Sequence, residues 1–234
     1  QVLLPKVFNF PFTYNSKIKI KIGDIVEVPF GSKHEIGVIW KNIYQEPENI
    51  KIKEICKKTD YSIDKKLVNF IEWFSIYNMV PIGLVLKMVI GNVDKFFKKN
   101  DNPIELKKIK SQKYILSNEQ ASALRFLEKT KNKFEVSVLQ GTTGSGKTLV
   151  YFERIKKIIK EKKQALVLLP EIFLTNDFKL RFEDFFGFEP AIWHSKITPK
   201  QKRIIWRGII SNKIKILVGA RSALLLPFQK LGII

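Results

Sequence analysis

The sequence predicts a multidomain protein: a small β-rich N-terminal domain closed by helices, followed by an α/β lobe built on a phosphate-binding loop. Three observations predict it. The first fifty residues alternate apolar and polar side chains, residues 62–93 switch to helical spacing, and "GTTGSGKT" at 141–148 lies between a short apolar run and an amphipathic one. With 234 residues and 45 % hydrophobic content, the chain can bury one large or two modest cores.

The N-terminal elements follow from periodicity. In "SKIKIKIGDIVEVPFG", Ile18, Ile20 and Ile22 fall on one face and Lys17, Lys19 and Lys21 on the other, the pattern of a half-buried antiparallel strand. Gly23-Asp24 reads as the turn, and 25–29 and 36–40 as the next strands. From 62 to 93, Leu67, Phe70, Ile71, Phe74 and Tyr77 recur at helical spacing and read as core. A second short apolar helix follows Pro81-Ile82-Gly83. The stretch 95–113 is dense in lysine with little periodicity, and reads as a basic linker. The expected division is therefore a domain over 1–99, a linker over 100–116 and a lobe over 117–234.

In the lobe, Ser117 precedes a helix with apolar residues at 121, 124 and 127, and Gln120 stands where a reciprocal cap partner would. An α/β alternation follows: strand 136–139, glycine loop, helix 148–162, strand 165–169, helix 177–186, strand 191–193, helix 199–212, strand 214–218. Strands bounded by such helices imply a parallel sheet with helices on both faces.

Composition narrows the function. No apolar run reaches the roughly 18 residues a membrane helix needs. The start reads neither as an initiator methionine nor as a signal peptide, so a trimmed N-terminus is expected. The single Cys56 rules out an internal disulfide framework and clustered-cysteine zinc sites, and fits a reducing cytoplasm. The formal net charge of +20 points to a polyanion, most simply nucleic acid. Only six of the 42 basic residues are arginine, so the lysine drift of an A+T-rich genome is an equally open reading.

The glycine loop is the most specific chemical signal. Gly141, Thr142, Thr143, Gly144, Ser145 and Gly146 let the backbone turn its N–H groups toward phosphate oxygens at a helix start. Lys147 would reach the β and γ phosphates, and the Thr148 hydroxyl would ligate Mg²⁺, so ATP and Mg²⁺ are the expected cofactors. Gln120, 21 residues upstream of Gly141, carries a donor and an acceptor suited to an adenine edge. On spacing alone, a cap or exposed position is favoured. Two loops follow predicted strands, where open α/β sheets bind ligands. Pro170, Glu171 and Thr175 in one, and Gly219, Arg221 and Ser222 in the other, offer amides, hydroxyls and a guanidinium to a nucleic-acid backbone. On these residues alone, ordinary loop punctuation is the favoured reading. His194 ends another strand, and a lone histidine is more often structural than catalytic.

Taken with "ALVLLPEIFLT", "IWHS" and "ILVGARSALLLPFQKLGII", the loop resembles the first, RecA-like motor lobe of superfamily 2 helicases, and more narrowly the family of bacterial replication-restart (primosomal N-prime) helicases. "VEVPFG", "IGVI" and "YNMVPIG" resemble that family's 3′-end DNA-binding domain. The resemblance implies that Gln120 in "LSNEQ" contacts adenine. It also implies that Pro170, Glu171 and Thr175 (motif Ia) and Arg221 and Ser222 (motif Ib) lie along single-stranded DNA. His194 and Ser195 match a signature of underived role.

Three departures qualify it. The 3′-end pocket typically reads Phe-Asp-Tyr, but here it is Phe12-Thr13-Tyr14. The carboxylate for a terminal 3′ hydroxyl is thus absent, with Gly31 and Lys51 left to supply backbone approach and phosphate contact. About fifteen residues, 100–114, stand where the family places a winged helix. The Asp-Glu-Glu-His that follows the last strand in the family, the second motor lobe and a cysteine-rich zinc domain are expected beyond Ile234.

The resemblance implies an N-terminal part of an ATP-dependent 3′-to-5′ DNA helicase, cytoplasmic and nucleoid-associated. Its implied partners are branched and single-stranded DNA at replication forks, other primosome proteins, single-stranded DNA-binding protein and the replicative helicase loader, with no membrane. This part alone is expected to hydrolyse no ATP. The rivals are a P-loop ATPase unrelated to DNA and a nucleotide- and DNA-binding module without hydrolysis.

Overall fold

The computed structural model describes residues 1–41, 52–91, 114–129, 134–170, 173 and 175–234. Two compact units emerge from its contacts. The first comprises Gln1–Ile104, Lys196–Lys213 and Leu224–Gln229; the second comprises Glu105–Ser195, Ile214–Ala223 and Lys230–Ile234. The stretches Lys196–Lys213 and Leu224–Gln229, read from sequence with the C-terminal lobe, thus group with the N-terminal residues. Most of the expected linker, 100–113, lies outside the described residues. No helix among the described residues is long and apolar enough to cross a membrane.

The first unit is built on an antiparallel sheet of order β1-β3-β2-β4, from β1 (Val2–Leu3), β2 (Asp24–Phe30), β3 (Lys33–Ile39) and β4 (Lys57–Ser62). β2 and β3 take up the strands read over 25–29 and 36–40 and pair as a hairpin, with Phe30 opposite Lys33 and Ile25 opposite Val38. Gly31 supplies the positive φ of 61° that its two-residue turn requires. Val26, Val28, Ile39, Val2 and Leu4 form the core. The Ile/Lys alternation over 17–22 forms no strand. The Ser16 hydroxyl accepts from the Ile18 N–H at 3.3 Å and donates to the Ile18 carbonyl at 2.8 Å, so a local bend replaces the ladder and leaves Ile18 and Ile22 exposed. β4, charged and unforeseen, pairs instead, where buried Asp24 meets Lys58 at 2.7 Å.

α1 (Lys65–Asn78) starts at Asp64, whose carboxylate accepts from the Lys66 N–H, and ends at Met79 in a left-handed conformation. Its buried stripe is Val68, Ile71 and Ser75, so the aromatic core expected of this helix is only partly formed. Phe70 and Phe74 are half-buried. Tyr77 is 71 % exposed and stacks on Trp73 at 5.1 Å. The apolar pattern was broad enough to cover two adjacent faces, and only one is covered.

α2 (Ile82–Ile90) explains the "PIG" triplet. A Cβ on Gly83 would stand 2.2 Å from the Lys6 carbonyl oxygen and 2.6 Å from that of Leu4, while the Gly83 N–H donates to the Phe8 carbonyl at 3.0 Å. Only glycine admits this backbone approach. α6 (Pro199–Ile210) belongs to the same unit. It begins with a full capping box of Thr198 and Gln201, and its buried Trp206 indole donates to the Val89 carbonyl at 2.8 Å.

The second unit contains the predicted parallel sheet, of order β6-β7-β5-β8, from β5 (Gln164–Leu168), β6 (Ala191–Trp193), β7 (Ile216–Gly219) and β8 (Leu231–Ile233). Its helices are α3 (Asn118–Lys129), α4 (Lys147–Lys160) and α5 (Asn176–Phe186). Phe152 and Ile155 of α4 pack with Phe182, Phe185 and Phe186 of α5 against Ala165, Ile216 and Val218. The strand expected over 136–139 is not formed: Val136 is 77 % and Val138 89 % exposed. Alternation favours a strand, but a strand exists only through a ladder partner, and this segment has none among the described residues.

Replacing Gly83 by alanine is expected to destabilise the first unit by about 2–3 kcal/mol, because backbone atoms rather than a flexible side chain must yield. Urea unfolding of Gly83→Ala against the parent checks it, and an unchanged midpoint would contradict the close approach.

Candidate nucleotide and nucleic-acid sites

The phosphate loop runs from a non-helical segment into α4. Gly144 and Gly146 hold φ of 85° and 79°, and Gly146 is the N-cap of α4 with no side-chain cap bond. The Leu149 N–H turns back to the Gly146 carbonyl at 3.0 Å, and the amides of Lys147 and Thr148, ahead of it in the first turn, face the loop as donors for an anion. The Lys147 ammonium donates to the Gly141 carbonyl at 2.6 Å and to the Thr142 carbonyl at 2.7 Å, folded into the loop it would share with phosphates. Ser145 closes the loop, its hydroxyl donating to the Thr142 carbonyl at 2.9 Å.

Gln120 does two jobs. It completes a reciprocal cap with Ser117, its N–H donating to the Ser117 hydroxyl at 3.2 Å and its Oε1 accepting from the Ser117 N–H at 3.0 Å. Its remaining amide hydrogen bond goes to the Ser145 carbonyl at 3.1 Å, and a Cβ on Gly146 would lie 2.3 Å from the same nitrogen. The cap reading from spacing holds, and the same side chain also touches the phosphate loop.

A cleft of about 720 Å³ adjoins the loop, lined by Thr143, Gly144, Gly146, Lys147 and Thr148, and on its other sides by Tyr114, Arg181, Asp184 and Phe185. Tyr114 stacks on Phe185 with ring centroids 5.3 Å apart and planes 13° from parallel. Sequence reasoning missed these four residues, which carry no motif: Arg181, Asp184 and Phe185 are placed by the packing of α5 on α4, and Tyr114, ahead of α3, by its stack on Phe185. The Thr148 hydroxyl bonds to the Tyr151 phenol, whose pKa burial pushes up against the opposing pulls of that bond and of Arg181. Uncapped amides, a lysine in the loop and a cleft of this size fit a nucleoside triphosphate. Among the described residues no group of three or more His, Cys, Asp or Glu side chains could hold a metal.

The parallel sheet gathers the strand-end loops at one edge. Leu169 N–H donates to the Gly219 carbonyl at 3.0 Å and Ala220 N–H to the Trp193 carbonyl at 3.0 Å, so the chain after β5, β6 and β7 emerges side by side. Pro170, Arg221 and Ser222 are exposed there, and His194 follows β6. Thr175 has a local task, its hydroxyl accepting from the Phe178 N–H at 3.3 Å as the N-cap of α5. Glu171 lies outside the described residues.

In the first unit, Phe12 bridges to Val2 through two backbone bonds and joins Phe8, Phe10 and Phe30 in an aromatic cluster. Tyr14 donates its phenol to the Pro29 carbonyl at 3.1 Å, one residue short of the Phe30-Gly31 turn. Burial, aided by Cys56, raises its pKa, so it stays a neutral donor. The structure thus brings Phe12, Tyr14 and the Gly31 hairpin together, with Thr13 exposed between the two aromatics. Lys51 lies outside the described residues. Sequence reasoning missed Lys6, which pairs with Glu35 at 2.7 Å and sits 5.1 Å over the Phe30 ring.

Comparison with known proteins agrees with both halves. A family model described as the 3′DNA-binding domain (3′BD) matches residues 1–91, and one described as type III restriction enzyme, res subunit, matches residues 113–231. The replication restart protein PriA of Rickettsia felis is 38 % identical over 242 residues, covering 100 % of this chain and 36 % of its own length. That of Helicobacter pylori strain 26695 is 34 % identical over 224 residues, covering 96 % of this chain and 34 % of its own length. That of Bacillus subtilis is 36 % identical over 202 residues, covering 82 % and 22 %. The chain spans about a third of the length of the first two relatives. With a 3′DNA-binding domain ahead of a restriction-enzyme-type res region, and relatives of one name along its whole length, the chain belongs to the replication restart protein PriA family.

Proposed function

We propose that this chain is the N-terminal part of an ATP-dependent 3′-to-5′ DNA helicase that binds stalled or repaired replication forks and begins replication restart through primosome assembly. The observation that carries the reading is an uncapped helix start behind a complete phosphate loop, in one chain with a 3′DNA-binding domain. Lys147 would leave the Gly141 and Thr142 carbonyls for the β and γ phosphates, and Thr148 would turn from Tyr151 to Mg²⁺. Gln120 would hold adenine. Bound ATP with Mg²⁺ would supply the phosphoryl bond whose hydrolysis drives translocation. The lobe is read as the first RecA-like lobe, with Pro170, Glu171, Thr175, Arg221 and Ser222 along the translocating strand. Phe12, Thr13, Tyr14, Gly31 and Lys51 would meet the strand end. The intact protein's further partners are read as single-stranded DNA-binding protein and the helicase loader, its further metal as zinc, and its compartment as the cytoplasm.

In the intact protein, Lys147→Ala is expected to lower fork-stimulated ATP hydrolysis about 100-fold or more, the scale of losing one preorganised charge at a developing anion. Hydrolysis indifferent to DNA would overturn the helicase reading in favour of an unrelated P-loop ATPase. Residues 1–234 alone are expected to bind nucleotide weakly without turnover.

Gln120→Ala is expected to weaken fluorescent ATP binding several-fold and to cost about 1 kcal/mol of stability through the lost cap. Equal binding by variant and parent would remove Gln120 from the nucleotide site.

With Thr13 in place of a carboxylate, forks ending in a 3′ hydroxyl and a 3′ phosphate should bind within about tenfold of each other, and Thr13→Asp should widen the preference for the hydroxyl by about tenfold. Competition titrations measure both. Strong hydroxyl preference in the parent would show that another group takes the carboxylate's place.

A further inference from the structure

The edge of the parallel sheet opposite the strand-end loops carries a row of lysines. Lys163, Lys215 and Lys230 each immediately precede a strand, β5, β7 and β8 respectively, and these three strands are neighbours. The register sets Ala165 beside Ile216 and Gln164 beside Leu231. Backbone bonds lock the row, with Ala165 N–H donating to the Lys215 carbonyl at 2.8 Å and Gln164 N–H to the Lys230 carbonyl at 2.7 Å.

A buried side chain builds this edge. Gln164 is 0 % exposed; its amide donates to the Ile214 carbonyl at 2.9 Å and its Oε1 accepts from the Lys230 N–H at 3.1 Å. One glutamine therefore clamps the chain just ahead of Lys215 and at Lys230, on the two sides of β5. Burial first, and then the neighbouring Lys230 ammonium, pull the pKa of Lys215 below its ordinary value. Glu161 meets the Lys163 ammonium at 3.0 Å, and exposed Lys162 adds a further cation beside it. The Lys163 stem lies over Gly232, where a Cβ would come within 2.8 Å of its Cδ.

Lysines scattered by genome composition would not converge on one sheet edge behind a dedicated clamp. We propose that this row is a contact for the phosphate backbone of duplex DNA, distinct from the strand-end loops at the other edge of the sheet. β5 separates the two edges by about 15 Å, and the roots of Lys215 and Lys230 stand about 10 Å apart across it, within reach of neighbouring phosphates of one strand. An anion there relieves the repulsion between the two ammonium groups. The inference rests on the reading of the chain as a DNA-binding protein and adds a second surface to it.

The test measures binding of a duplex oligonucleotide to residues 1–234 across a salt series. Lys215→Gln with Lys230→Gln is expected to flatten the slope of log K against log salt by about 1.8, from two lost phosphate contacts, and to weaken binding about tenfold or more at low salt. The control pair Lys129→Gln with Lys160→Gln removes the same charge from exposed helix ends and should leave the slope near the parent's. Arginine at 215 and 230 should restore it. If the glutamine pair loses its circular dichroism spectrum, acetylation footprinting of the parent decides, with Lys215 and Lys230 expected to be protected by DNA. A slope unchanged in the glutamine pair, equal flattening in the control pair, or no footprint would overturn the proposal. A parent that binds no DNA would overturn the DNA-binding reading as well.

Discussion

The second unit depends on one buried amide. Gln164 has no access to water, so each of its polar atoms must find a protein partner or leave an uncompensated group costing about 1–3 kcal/mol. It satisfies them with the backbone ahead of β7 and β8, on both sides of β5. In a parallel sheet a slip of one residue turns every side chain to the other face. The amide therefore fixes register where hydrophobic burial alone would hold it loosely, above all for the three-residue β8. Once β5, β7 and β8 are in register, their far ends are too, and the exposed Pro170, Arg221 and Ser222 inherit their common edge from it.

How far this was legible depended on whether the signal was local. The phosphate loop, the two strands of the N-terminal hairpin and the Ser117–Gln120 cap are set within a few residues, and the chain displays them. The strand over 17–22 looked local but was not. Alternation states which faces a strand would have, while Ser16 decides that the backbone bends instead. Arg181, Asp184 and Phe185 carried no readable pattern, because only the packing of α5 on α4 brings them to the loop, and Tyr114 joins them from ahead of α3 only by stacking on Phe185. Gln164 likewise carries no signal in the sequence, standing just ahead of the strand read over 165–169. Its burial is a property of the sheet and could not be read from its neighbours in sequence.

The N-terminal unit meets the same problem with backbone rather than side chain. Gly83 lets α2 rest against the carbonyls of Leu4 and Lys6, and the Gly83 N–H holds Phe8. Phe8 is an anchor of the aromatic cluster that also contains Phe12 and Phe30. The position of Phe12, and with it of Thr13 and Tyr14, thus traces back to a glycine some seventy residues away. In this arrangement Thr13 is presented by its neighbours rather than held by its own bonds, so a change of side chain there alters chemistry without disturbing the pocket walls.

The phosphate loop shows where support from the sheet gives way to local bonding. A strand leading into such a loop ordinarily fixes its entry by ladder bonds, but here Val136 and Val138 are exposed and unladdered. The loop is held by α4 at its exit and by four bonds that close on its own carbonyls: Lys147 to Gly141 and Thr142, Ser145 to Thr142, and Gln120 to Ser145. Two of the donors, Lys147 and Gln120, are the groups proposed to meet nucleotide. On that proposal ligand and loop would compete for the same hydrogen bonds, and each contact made to a phosphate or an adenine would release one that had closed the loop. Affinity would then be the difference between the bonds gained to the ligand and those given up by the loop, which would make tight binding depend on whatever else steadies the segment entering the loop.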